Sequence, residues 1–266
     1  MGRRLSRLGC LATFVSLLTL TIAAPAAAAG YDSTDYVALG DSYSSGVGAP
    51  GQSGLCLRSS QGYPGRWAAA NKPKSFTNLA CSGAETGDVR NLQIPFLSSS
   101  AELITITIGG NDAGFASTVI GCQVGTDAAC AAKVASARTD IENSIPGKLD
   151  ATYAAIKRKA PNAEVVVLGY PQLFDTSSAS CGIAGMSLAK RRVLNEGARL
   201  LNDVIEGRAG AAGFTYSDVE DEFAGHGICA SSPYLNGLTV IPPQNSFHPN
   251  ATGYTRGYLP ALNSAL

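Results

Sequence analysis

Histidine is scarce in this 266-residue chain, occurring only as His226 and His248. No Cys-x-x-Cys pair accompanies them, so a zinc site has no basis in the sequence. No metal or other cofactor is expected. Charge is also sparse: 15% of residues are charged, 20 basic against 20 acidic. That balance offers no basic footprint for nucleic acid or an anionic membrane. Aromatic residues make up 7% of the chain, with a single tryptophan, which disfavours a site that stacks on sugar rings. Internal repeats and long low-complexity segments are missing beyond the first thirty residues.

One extended apolar stretch stands out, "LGCLATFVSLLTLTIAA", which follows Arg3, Arg4 and Arg7 and precedes "APAAAAG". A basic start, an apolar middle and an A-x-A ending read as a secretory signal over residues 1–29, leaving 30–266, a length with room for one large α/β domain or two small ones and taken as one. The stretch is barely long enough to span a bilayer and ends in small residues, so no stable membrane anchor is expected. Cys10 precedes most of the apolar run, which argues against a lipid-modified cysteine. Without residues 1–29 the chain has 17 basic and 20 acidic residues, a net charge of −3. The hydrophobic fraction of 45% is ample for a packed core.

The domain then retains six cysteines: Cys56, Cys81, Cys122, Cys130, Cys181 and Cys229. An even number in an exported chain suggests disulfides, and six cysteines allow 15 pairings. Cys122 and Cys130 form the most local pair. Sequential pairing, Cys56–Cys81, Cys122–Cys130 and Cys181–Cys229, is the favoured hypothesis.

Strand-like and helix-like runs alternate along the domain. Strands are expected at 36–40, 75–81, 103–110, 163–170 and 214–219. "AEVVVLGY" has the continuous apolar core of a strand buried on both faces. Helical composition runs from Ala131 to Lys159, with a break or kink at Pro146-Gly147. A longer helix starts after Ser187, a good N-cap, with Leu194, Ala198, Leu201 and Ile205 at helical spacing. Loop is expected from Asn236 to Phe247 and a short final helix after Pro249. Such alternation argues for a parallel sheet covered on both sides, with ligands bound beyond the carboxyl ends of its strands. The turns "GDS", "ACSG" and "GGND" then share one rim.

Those turns hold the parts of an acyl-transfer site. Ser42 in "YVALGDSYSSGVG" follows a strand and opens a helix, where its backbone N–H is free to donate. The tripeptide alone equally suits a capped turn, with Asp41 or Ser42 as cap. A serine nucleophile needs a base, the base needs an orienting group, and the oxyanion needs donors. His248, in "NSFHPNATGY", is the favoured base; His226 reads as part of a loop pinned by Cys229. Gly83 in "CSGAETGD" offers an approachable N–H, and Asn111 in "GGND" offers an amide. Phe115, Tyr170 and Tyr234 are candidates to line an acyl pocket. No amphipathic lid segment stands out.

Taken together, "GDSYSSG", "CSGAETGD", "ITIGGNDAGF" and "FHPNATGY" resemble the four blocks of the GDSL, or SGNH, hydrolase family, and in particular its secreted actinomycete lipases, esterases and phospholipases. The resemblance spans nearly all of 30–266, including the six cysteines. It implies a three-layer α/β/α flavodoxin-like fold around a mostly parallel five-stranded sheet, with sequential disulfides. It also implies Ser42 as nucleophile, His248 as base, and an oxyanion hole of Ser42, Gly83 and Asn111. The chain departs from the family pattern at one place: Asn245 stands where an aspartate usually precedes the histidine by three residues. An amide cannot offset imidazolium charge, so the backbone carbonyl of Ser246 is expected to orient His248. The activity implied is that of a monomeric secreted ester hydrolase acting on a lipid or small ester. Phospholipase A1, acyltransferase and an exported binding module are the alternatives.

Overall fold

The computed structural model describes residues 1–2 and 30–266, so the expected signal segment lies almost wholly outside the described residues. Residues Tyr31–Leu266 are built on five strands: β1 (Asp35–Gly40), β2 (Ser75–Asn78), β3 (Leu103–Thr107), β4 (Glu164–Leu168) and β5 (Thr215–Ser217). The helices in chain order are α1 (Ser42–Ser45), α2 (Tyr63–Asn71), α3 (Thr86–Asp88), α4 (Phe115–Val124), α5 (Asp127–Asn143), α6 (Ile145–Lys159), α7 (Leu188–Ala212), α8 (Glu220–Phe223), α9 (Ala251–Gly253) and α10 (Leu259–Ala265).

The sheet order is β2-β1-β3-β4-β5, and every pairing is parallel. The sheet is therefore wholly parallel, where the sequence led us to expect mostly so. β3 and β4 are enclosed by neighbouring strands and by helices on both faces, which is why Ile104, Ile106, Val166 and Val167 are all buried. α2 and α10 pack together on one face, while α6 and α7 pack on the other beneath α5. The chain runs from β1 outward to β2, then crosses back over β1 to place β3 on its other side. The crevice at that reversal, beyond the carboxyl ends of β1 and β3, is where this topology places ligands.

Local chemistry explains where the elements begin and end. α5 starts at Asp127, earlier than composition suggested, because the Thr126 hydroxyl accepts a hydrogen bond from the Ala129 N–H at 3.1 Å. The expected break falls at Ser144, and Pro146 sits in the first turn of α6, where its missing N–H costs nothing. Ser187 caps α7 through the Lys190 N–H at 3.2 Å. Asn250 caps α9 by accepting from Thr252 and Gly253 at 2.9 and 3.0 Å. β2, β3, β4 and β5 end at 78, 107, 168 and 217, earlier than expected, and after the first three of these the chain turns into loops that line the crevice.

The three disulfides pair sequentially, Cys56–Cys81, Cys122–Cys130 and Cys181–Cys229. The first ties the segment after α1 to the turn after β2. The second joins the end of α4 to the start of α5.

Candidate active site

Gly40 ends β1 with φ +116°, a conformation that disfavours side chains, and a Cβ there would collide with the Thr107 carbonyl. The chain can thus turn tightly over β3 into Asp41 and Ser42. The side chain of Gln93 fixes this turn by donating to the Gly40 carbonyl and accepting from the Gly40 N–H, both at 2.8 Å. Asp41 caps α1 through the Tyr43 N–H at 3.0 Å. Its carboxylate also accepts from the Thr107 hydroxyl at 2.7 Å and the Tyr170 hydroxyl at 2.5 Å. Burial pushes the Asp41 carboxyl up to about 6, against those three donors, which pull it down. Asp41 is thus the cap of α1, and Ser42 is left lining the cleft.

The Oγ of Ser42 lies 2.7 Å from Nε2 of His248. Nδ1 of the same ring lies 2.9 Å from the Ser246 carbonyl oxygen. With Nδ1–H donating to that carbonyl, Nε2 is left as the acceptor for the serine proton. Desolvation by the surrounding protein pushes the imidazole down from 6.5 to about 4, outweighing the Ser246 carbonyl, which raises it. The ring is therefore neutral at pH 7.

The Asn245 side chain makes no hydrogen bond to the imidazole ring. Its Oδ1 accepts from Nε2 of Gln52 at 2.7 Å. The turn Pro243–Asn245 delivers Ser246 instead. Phe247 then takes φ +63°, a left-handed conformation strained for a bulky residue. The loop holds it there: Phe247 donates to the Asn236 carbonyl at 3.0 Å, and Asn236 donates to the His248 carbonyl at 2.8 Å. The Tyr43 hydroxyl, from α1, donates to the Phe247 carbonyl at 2.8 Å.

Gly83 and Asn111 line the same cavity as Ser42 and His248. Gly83 has φ +81° and open space where a side chain would be, so conformation rather than crowding calls for glycine there. Among the described residues, neither the Ser42 nor the Gly83 N–H has an intramolecular acceptor. Asn111 donates one amide hydrogen to the Ala84 carbonyl at 2.9 Å, which orients the amide and leaves its second hydrogen free. Asp112 clamps the neighbouring turn. Its buried carboxylate accepts from the Thr86 N–H and hydroxyl, both at 2.8 Å, and pairs with Lys148 at 3.3 Å.

The cavity, of about 180 Å³, is polar at Ser42 and apolar beyond it, where Phe115, Val119, Tyr170, Ala198 and Leu201 form the wall. Phe115 and Tyr170 are thus wall residues, as the sequence suggested. Tyr234 is not. It stacks on His226 at 3.8 Å, and the Nδ1 of His226 lies 2.8 Å from the Ser232 carbonyl, so this histidine belongs to a loop away from the cleft. Sequence reasoning missed the Tyr170 hydroxyl, which accepts from the Gly110 N–H at 3.2 Å while donating to Asp41. It also missed Gln93 and Gln52. A tyrosine at the end of a predicted strand was a usable signal; the two glutamines gave none.

A serine hydroxyl on a neutral imidazole, beside a glycine N–H and a primary amide at the mouth of an apolar pocket, is equipment for acyl transfer. Residues 38–256 match the GDSL-like Lipase/Acylhydrolase family, and the chain belongs to it. It is an ester-hydrolysing enzyme of the lipase and esterase type. A lipase of Streptomyces rimosus is 44% identical over an alignment covering 100% of this chain and 99% of its own. Lipase 1 of Streptomyces coelicolor is 46% identical, covering 96% and 93%. Among solved structures, phospholipase A1 of Streptomyces albidoflavus is similar with a TM-score of 0.85 at 46% identity, covering 88% of this chain and 100% of that one. Among the described residues, no helix is long and apolar enough to cross a membrane.

Proposed function

We propose that this enzyme is secreted and hydrolyses acyl esters of lipids through an acyl-enzyme on Ser42. The observation that carries the reading is the continuous chain from Ser42 Oγ to His248 Nε2 at 2.7 Å and from Nδ1 to the Ser246 carbonyl at 2.9 Å. His248 takes the serine proton as Oγ bonds to the ester carbonyl carbon. The carbonyl oxygen becomes an oxyanion, held by the Ser42 N–H, the Gly83 N–H and the free hydrogen of the Asn111 amide. Collapse breaks the carbon–oxygen bond to the leaving alcohol, which takes the proton from His248. Water, deprotonated by His248, then attacks the acyl-enzyme, and release of the acid restores Ser42.

The imidazolium formed in each half-reaction has no carboxylate beside it. Its charge is spread only by the Ser246 carbonyl, so Ser42 and His248 work as a dyad with main-chain assistance. The apolar wall supports an acyl chain as the bound portion, and the likeness to a phospholipase A1 makes phosphatidylcholine a substrate to test beside triglycerides. A fluorophosphonate probe should label the protein and fail to label Ser42→Ala. Labelling that survives Ser42→Ala, or its absence from the parent, would refute the assignment. Nitrophenyl esters of rising chain length, a triglyceride and a phosphatidylcholine then sort lipase from phospholipase.

A further inference from the structure

Building on the lipid-ester reading, we propose that the rim of the cavity is a docking face for a lipid surface of no net charge. Nine large hydrophobic side chains are exposed among the described residues, and five of them are Ile120, Val124, Leu238, Val240 and Ile241. These five lie on two elements that also line the cavity. α4 contributes Phe115, Ala116 and Val119 to its wall, and the loop ending at His248 contributes Gln244, Ser246 and Phe247. Along α4, Ala116, Ile120 and Val124 recur every fourth residue and are all exposed, forming one apolar stripe.

A third segment joins the two elements. Gly185 packs so closely on the Gln123 carbonyl that a Cβ would collide, and Gly237 packs against Ile183. The buried Lys190 ammonium secures this junction by donating to the Gly125 and Gly185 carbonyls, both at 2.6 Å.

Charge is missing from all three segments. Residues 113–126, 176–189 and 223–255 contain no Asp, Glu, Lys or Arg, in a chain that is 15% charged overall. A face meant only for water would carry solvating charges. Ionised side chains are costly at a hydrocarbon boundary, whereas exposed isoleucine and valine gain by entering it. Without cations to pair with phosphate groups, the face favours a zwitterionic or neutral surface over an anionic one. Docked there, a lipid presents its ester at the cavity mouth while its acyl chain leaves the hydrocarbon directly for the apolar wall.

The test is co-sedimentation with phosphatidylcholine vesicles, using Ser42→Ala so that the lipid is not consumed. The protein should partition onto the vesicles with no dependence on salt. Adding Ile120→Ser and Ile241→Ser should lower partitioning by about tenfold or more. Phe96→Ser, a substitution of an exposed apolar residue on a different element, should leave it unchanged. With Ser42 intact, the same Ile120→Ser and Ile241→Ser variant should hydrolyse a soluble short-chain nitrophenyl ester at the parent rate, which also reports that it is folded. No partitioning of the parent, equal partitioning of the double variant, or an equal loss from Phe96→Ser would each overturn the docking face. Failure of the parent on the soluble ester would instead overturn the catalytic reading.

Discussion

The two sides of the cleft hold their reactive groups by different means. Ser42 sits on a turn fixed by side chains: Gln93 grips both polar atoms of Gly40, and Asp41 accepts from Thr107 and Tyr170. Thr107 ends β3, Tyr170 follows β4, and Gln93 closes the helical segment Val89–Gln93. His248 sits on a loop without regular structure and is aimed by main-chain carbonyls, those of Ser246 on the ring and Phe247 under Tyr43. The side chain best placed in sequence to aim it, Asn245, is engaged with Gln52. One reactive group therefore depends on particular side chains, and the other on the path of the backbone. Side-chain truncation should harm the serine side at the groups that bond its turn directly, whereas on the histidine side, His248 apart, it acts only at one remove, through the Tyr43 and Ser246 hydroxyls that hold the loop's main chain.

The largest effect should come from His248→Ala, a fall in kcat/KM of about 10⁴-fold or more on a soluble nitrophenyl ester. Next is Asn111→Ala, at about 100- to 1000-fold in kcat with KM little changed, as expected of a donor that acts on the oxyanion. The pH profile of kcat/KM follows. In the proposed mechanism the neutral ring is the working form, so activity should be full at pH 7 and fall as pH drops through about 4, by about tenfold per further unit. Asp41, pushed up to about 6, titrates in the same region, so a midpoint near 6.5 that persists in Asp41→Asn would mean that the ring is not desolvated. Tyr170→Phe should cost several-fold in kcat and about 1–3 kcal/mol in stability, read by denaturant titration, because Asp41 and the Gly110 N–H both lose a buried partner. The smallest effect should be that of Asn245→Ala, less than about fivefold in kcat, since only a polar contact with Gln52 is lost. A loss matching His248→Ala would make Asn245 the third member of a triad and erase the contrast between the two sides.

Much of this is legible in the amino-acid sequence. The β-branched runs at 103–107 and 164–168 fixed a buried parallel sheet, and the turns after three strands placed Ser42, Gly83 and Asn111 on one rim. His248 followed from a choice between two histidines. Illegible were contacts that join distant residues without a local pattern. Gln52 and Asn245 are 193 positions apart, and Asp41 and Tyr170 are 129 apart. Neither residue type marks its partner, because hydrogen-bonded networks are set by tertiary placement rather than by periodicity. Tyr234 was misread for the same reason: a tyrosine near the cleft in sequence is stacked on His226, outside it.

The group that aims the histidine is a peptide oxygen, which every residue type carries. No single codon change can remove the Ser246 carbonyl; it can only be displaced by rerouting the loop. The histidine's alignment therefore rests on what holds the loop's path: the Ser246 hydroxyl, which bonds both polar backbone atoms of Thr239 at 2.9 and 3.2 Å, and the main chain of Phe247 and Asn236. Asparagine at position 245 is compatible with that arrangement, because the ring's hydrogen bond goes to the Ser246 carbonyl and not to the side chain at 245.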